Sequence, residues 1–214
     1  MPLMRQATPR TPTQQRLQRR GTANHPQRRA RTLESTRFDA HLRCQPSNRD
    51  QMAQKKASQL PKLNTTLVPP PPAQRIIELD ELWSFVHDKK HQCWVWIALC
   101  AVTRQVVAFV TGDRGEGTCR RLWRAVPWRY KRSLCYSDFW SAYSAVIPSE
   151  QHEAVGKESG KTNHVERWNN TLRQRVGRFV RKSLSFSKCW VMHEACLALF
   201  VHRYNLDRAE IILS

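Results

Sequence analysis

The chain has 214 residues, 36 Lys+Arg against 17 Asp+Glu, a formal net charge of +19 and a sequence pI near 10.5. This excess points to a polyanionic partner, nucleic acid or an anionic membrane face. Its longest apolar run, within Cys93–Val102, is about half the ~20 residues of a membrane span, and no apolar signal core occupies the first 30 residues. A transmembrane protein and a secreted one are therefore not expected. Seven Cys without a C-x-x-C pair fit reduced thiols in a cytoplasmic compartment better than a disulfide framework or a zinc site.

The composition divides near residue 74. All eight Trp and all four Tyr follow it, and only Phe38 among the seven Phe precedes it. Residues 1–73 carry 14 basic and 3 acidic side chains and end in Pro69–Pro72. So little apolar surface does not offset the entropy of ordering, so this arm is expected to be disordered, with the proline run as a stiff extended spacer. Three readings of it stand: a basic nucleic-acid-binding tail, a product of an upstream start or shifted frame, and an Arg-rich transit peptide. The last lacks an amphipathic period.

A folded domain is expected over residues 74–206, with 207–214 as a tail. Arg75–Val86 reads as a strand, the polar Asp88–Gln92 as a turn, Cys93–Val102 as a strand buried on both faces, and Val106–Thr111 as a third strand. Short connections make these an antiparallel meander. A helix over Thr118–Val126, a strand at Leu134–Ser137, a helix over Phe139–Ile147 and a short strand at Glu153–Val155 follow. Val165, Trp168, Leu172, Val176 and Phe179 then step by three and four, which predicts a long helix from Asn163 to Arg181. A last helix spans Ser187–Tyr204. The order predicts an α/β domain: a mixed five-stranded sheet covered by helices on both faces.

Three acids stand in unusual surroundings. Asp80 lies within the first strand, Asp138 at the carboxyl end of the fourth, where α/β sheets place ligands, and Glu166 early in the long helix. Converging carboxylates make a hard-oxygen site for Mg²⁺, and such sites support in-line displacement at phosphorus. Each acid also has a plainer explanation. Asp80, with Glu78 and Glu81, suits a solvated strand edge; Asp138 suits a helix cap; Glu166 follows Asn163 at the spacing of a capping box. Arg167, Arg173, Arg175, Arg178, Arg181, Lys182 and Lys188 cluster around the helix, and phosphate contact is the better reading for Arg173 and Lys182. Trp83 and Trp140 are expected to wall the site rather than stack on a base. His87, His91, His193 and His202 show no metal-ligand spacing.

The stretches ELDELWSFV, KKHQCWVWIAL, RQVVAFVTGDR, CRRLW, YSDFWSAY, AVGKESGKTNHVERWNNTLRQRVGRFVRKSLSFSK and LFVHRYN, within Ile77–Asn205, resemble transposases of the insertion-sequence-one family. NHVERWNNTLRQR followed by RKSLSFSK is the most specific part. The resemblance implies a ribonuclease-H-like fold of the DDE class, with Asp80, Asp138 and Glu166 matching the catalytic, metal-binding acids and Mg²⁺ or Mn²⁺ as cofactor. It implies that Arg173 matches a basic position of this class, that His164 and Asn170 share its motif, and that Arg167, Asn170, Arg173 and Lys182 face DNA. The partners would be transposon ends and target DNA, bound by a homo-oligomer at the bacterial nucleoid, with no membrane. The expected activity is DNA cleavage and strand transfer. A nuclease that cleaves without joining, and a catalytically inactive DNA-binding remnant, are the alternatives. The resemblance does not reach residues 1–73, which hold one Cys, Cys44, where complete family members carry a zinc-binding and helix-turn-helix region.

Overall fold

The computed structural model describes residues 47–182 and 184–214. Strands β1 (Ile76–Val86), β2 (Asp88–Cys100) and β3 (Val106–Gly112) form the antiparallel meander; β4 (Leu134–Ser137) and β5 (His152–Ala154) add in parallel, giving the sheet order β3-β2-β1-β4-β5. The helices are α1 (Asn48–Ser58), α2 (Glu116–Ala125), α3 (Ser141–Val146), α4 (Asn163–Arg175) and α5 (Trp190–Leu213). A mixed five-stranded sheet flanked by helices in this order has the ribonuclease-H-like topology.

Strand alternation divides the core in two. Ile77 and Leu79 of β1 join Trp96, Leu122, Tyr130 and Tyr143 beneath α2 and α3. Leu82, with Val95, Ile97 and Leu99 of β2, joins Val165, Trp168, Leu172, Leu197 and Val201 beneath α4 and α5. Trp96 and Trp168 are almost fully buried, which explains why the aromatic residues gather after residue 74. Of the six cysteines whose apolar surroundings suggest core positions, Cys93, Cys100, Cys119, Cys135 and Cys189 are buried and Cys196 is half-buried, and burial pushes the Cys119 and Cys135 thiols up to about 12.

Four boundaries differ from expectation by more than three residues. The reversal after β1 occurs at His87, with φ of 67°, and the polar Asp88–Gln92 stretch is already β2; the Asp88 carboxylate accepts the Lys90 N–H at 2.7 Å. Helix α4 ends at Arg175 rather than Arg181. Val176 turns extended and Gly177–Phe179 forms a 3₁₀ turn that still buries Phe179, so the apolar spacing continues past the helix. Helix α5 continues to Leu213, through the residues expected as a tail.

The fourth difference is the expected arm. Disorder of residues 1–46 lies outside the described residues, but 47–73 is ordered. Ser47 and Asp50 close a capping box on α1, which packs on α5, and Asp50 pairs with Arg178 at 3.3 Å. Downstream, Gln105 donates to the Thr66 carbonyl at 2.8 Å and accepts the Val68 N–H at 2.8 Å. The fully buried Asn205 donates to the Thr66 hydroxyl and the Val106 carbonyl and accepts the Val106 N–H. These long-range polar contacts, absent from local composition, act together with Leu63 and Leu67, which pack against the two halves of the core. Pro71 keeps the extended geometry expected of the proline run, while Pro72–Gln74 turns into a 3₁₀ helix. No helix among the described residues is long and apolar enough to cross a membrane.

Candidate active site

Successive β1 side chains point to opposite faces, so Glu78, Asp80 and Leu82 look toward α4 while Leu79 and Glu81 look toward α2 and α3. Strand β4 runs parallel beside β1, with Ile77 opposite Cys135 and Glu78 opposite Tyr136. Continuing that register two residues brings Asp138 beside Asp80. Helix α4 crosses the same face. Asp80, Asp138, Glu166, Asn169, Asn170, Arg173 and Arg181 line one open cavity of about 310 Å³, together with Lys157 and Thr162.

Within it, the Asp80 carboxylate accepts the Glu81 N–H at 2.8 Å and the Asn169 amide N–H at 2.7 Å. Burial, followed by the charges of Glu81 and Asp138, raises its pKa to about 7. Asp138 accepts the Trp140 N–H at 3.0 Å, closing a tight turn after β4. This falls short of a helix cap, since Trp140 itself occupies the N-cap of α3. Nor is Glu166 part of a capping box: Thr162 is the N-cap, which puts Glu166 one position too late.

The N-terminus of α4 is instead capped from another element. Glu78 is 1% exposed and accepts the His164 and Val165 N–H groups, each at 2.9 Å, and pairs with the His164 ring. Burial, partly offset by the Val165 N–H, raises Glu78 to about 7. The solvated strand edge considered for these acids is thereby excluded, because β1 is the central strand. On its other face Glu81 is held by Tyr143 Oη at 2.7 Å and by Arg114, whose Nε lies 2.7 Å away. Burial raises the Glu81 pKa, and these two donors oppose the shift. The Arg114 guanidinium is sandwiched between Trp94 and Trp140, 4.7 and 4.2 Å from their ring centroids.

Of the residues singled out for DNA, the structure brings Asn170 and Arg173 into the cavity and leaves Arg167 and Lys182 exposed outside its lining. Arg167 is one step, about 100°, from Glu166 around the helix, which turns it outward. Arg173 reaches the Trp83 carbonyl at 3.4 Å, and its Nε is buried without a partner. Neither Trp83 nor Trp140 lines the cavity, although both were expected as its walls. Asn169, Lys157 and Arg181 were not singled out as site residues. For Asn169 a signal existed, since it stands three residues after Glu166 on the same side of the helix.

The site offers carboxylate oxygens, and the buried Oδ1 of Asn169 has no hydrogen-bond partner. An all-oxygen donor set with an unused acceptor fits a hard divalent cation. A second group that could hold a divalent metal lies at the β1–β2 hairpin. His87, Asp88 and His91 present ligand atoms within 4.8 Å of one another, which spacing alone had not suggested. Its imidazoles favour a borderline transition metal. His193, by contrast, is buried between the Ser84 and Ser187 hydroxyls, as expected of a structural histidine.

Comparison with known proteins adds the family. The family model described as IS1 transposase matches residues 75–206. The chain is 37% identical over 129 residues to the insertion element iso-IS1n protein InsB of Shigella dysenteriae, covering 60% of this chain and 95% of that protein. It is 33% identical over 125 residues to the IS1 protein InsB of Shigella flexneri, covering 58% and 92%. For the IS1 4 protein InsB of Escherichia coli K12 the figures are 32% over 125 residues, covering 58% and 72%. The chain belongs to the IS1 transposase family, with the nuclease and transposase fold of the DDE superfamily.

Proposed function

We propose that this protein is a DDE-type DNA transposase that cleaves DNA at the ends of an insertion sequence and joins the freed 3′ ends to target DNA. The observation that carries the reading is the convergence of Asp80, Asp138 and Glu166, from β1, β4 and α4, on one cavity also lined by Arg173 and Arg181. In this reading the three acids are the catalytic, metal-holding residues, and the catalytic domain comprises residues 74–206, with 47–73 and the end of α5 packed against it.

Asp80, Asp138 and Glu166 would hold Mg²⁺ or Mn²⁺, which supplies activation of the nucleophile and charge neutralisation at phosphorus. Asn169 fixes the Asp80 carboxylate through its amide N–H, leaving lone pairs of both Asp80 oxygens for the cavity. Glu78 holds the start of α4 against β1 and so sets where Glu166 stands. Arg173 and Arg181 offset phosphate charge within the cavity, Asn170 hydrogen-bonds the backbone, and Arg167 and Lys182 take phosphates of flanking DNA. The partners are transposon ends and target DNA, bound by a homo-oligomer at the nucleoid.

The test is strand transfer by purified protein on duplexes carrying the element's ends, with Mg²⁺ or Mn²⁺. Cleavage and joining by the wild type, both lost in Asp80→Asn, are the expected result. Strand transfer retained by Asp80→Asn would sink the assignment. Cleavage without joining would make the protein a nuclease on the same fold.

A further inference from the structure

Two aromatic side chains stand out among the exposed large apolar residues: Trp128, 78% exposed, and Phe139, 73% exposed. They sit at opposite ends of β4. Trp128 precedes that strand, whereas Phe139 directly follows Asp138 at its carboxyl end. Both neighbours of Phe139 are fastened. Asp138 accepts the Trp140 N–H, and the Trp140 ring lies against Arg114, which is itself paired with the buried Glu81. The turn is held at both sides and presents its middle side chain to solvent. An apolar ring left in water on a braced turn, beside a cavity lined by Lys157, Arg173 and Arg181, is suited to a partner with both phosphate and π surface.

We propose that Phe139 is a stacking platform for an unpaired base of the DNA, next to the phosphate held at Asp80, Asp138 and Glu166. This rests on the DNA-processing reading of the acid site. Adjacent Cα atoms are about 3.8 Å apart and successive nucleotides of one strand rise about 3.4 Å along the duplex axis, so the ring serves the nucleotide one or two steps from the acids. A base in an intact duplex has no free face to offer. Stacking therefore selects DNA whose strands have parted at the cleavage point, and places that phosphate without reading sequence. Trp83 and Trp140, the aromatic residues that sequence position suggested near the acids, are held in protein contacts and are poorer platforms.

The test compares a fully paired duplex with the same duplex carrying a short frayed end that contains 2-aminopurine, with Ca²⁺ present to offset the carboxylate charge. Wild-type protein should bind the frayed DNA about 5- to 150-fold more tightly, the range of one stacked base, and quench the probe. Phe139→Ala should lose the preference and the quenching while keeping its affinity for paired duplex; Phe139→Trp should keep both. Phe139→Leu, apolar but without a π face, should behave like Phe139→Ala. A preference that survives in Phe139→Ala, or one absent from the wild type although paired duplex is bound, overturns the proposal. A changed sedimentation coefficient of Phe139→Ala with its base preference intact would make the residue a protein–protein contact and also overturns it. Failure of the wild type to bind any duplex would instead count against the DNA-processing reading beneath it.

Discussion

Replacing Asp80 with Asn should stabilise the metal-free protein at alkaline pH. The carboxyl group faces the acid cavity on the central strand, and burial with the nearby Glu81 and Asp138 charges raises its pKa from 3.8 to about 7. In the unfolded chain the same group releases its proton near 3.9. Between about pH 4 and pH 7 the folded protein therefore binds the extra proton, and stability falls as pH rises through that window. This is opposite in sign to a salt-bridged carboxylate. A shift of about three pK units corresponds to a ceiling of about 4 kcal/mol at ~1.4 kcal/mol each. The open cavity admits water and the Asn amide must re-form hydrogen bonds to Glu81 and Asn169, so a gain of about 1–3 kcal/mol is expected. Urea unfolding followed by tryptophan fluorescence, with chelator at pH 5 and pH 8, measures it. The variant should exceed the wild type at pH 8, with the gap narrowing toward pH 5. Glu78, also raised to about 7, leaves both proteins with a common residual slope, so the difference between them reports Asp80. An Asp80→Asn protein no more stable than wild type at pH 8 would refute the picture of an electrostatically strained acid cluster.

Three further outcomes follow from the same contacts. Glu78→Ala should cost about 1–2 kcal/mol in urea unfolding at pH 5, because the His164 and Val165 N–H groups at the start of α4 both lose the one Glu78 oxygen that accepts them. Arg114→Ala should destabilise by on the order of 3 kcal/mol, since it leaves the buried Glu81 carboxylate with Tyr143 as its remaining side-chain donor; Arg114→Ala combined with Glu81→Gln should recover part of that loss. In DNA-binding titrations against salt, Arg173→Ala, Arg167→Ala and Lys182→Ala should each reduce the slope of log K against log[salt] by about one, and a variant with an unchanged slope makes no phosphate contact.

Period and alternation carried the five strands and the order of the helices after residue 74, because those features are written in neighbouring residues, whereas the three acids were singled out by spacing and family resemblance together. The parallel pairing of β1 with β4, which the chain order left open, is what brings Asp138 beside Asp80. What remained hidden depends on partners distant in sequence. Glu78 looked like one more acid in an acidic strand, yet it caps a helix 86 residues away in the chain. Arg114 gave no sign of lying between Trp94 and Trp140. Residues 47–73 looked too polar to order, and they are ordered through Asp50, Thr66 and Val68, whose partners Arg178, Gln105 and Asn205 lie far along the chain. The end of α4 was misplaced because Phe179 keeps the helical apolar spacing while sitting in a 3₁₀ turn.

Mn²⁺ binding followed by electron paramagnetic resonance tests most directly whether Asp80, Asp138 and Glu166 form one cation site. Wild-type protein should deplete the free Mn²⁺ signal, and Asp80→Asn, Asp138→Asn and Glu166→Gln should each weaken that binding at least about tenfold, the loss of roughly 1.4 kcal/mol or more. The double variant His87→Ala, His91→Ala should bind like the wild type. Unchanged Mn²⁺ binding in the three carboxylate variants, with binding lost in the histidine pair, would contradict the assignment and move the metal to the hairpin.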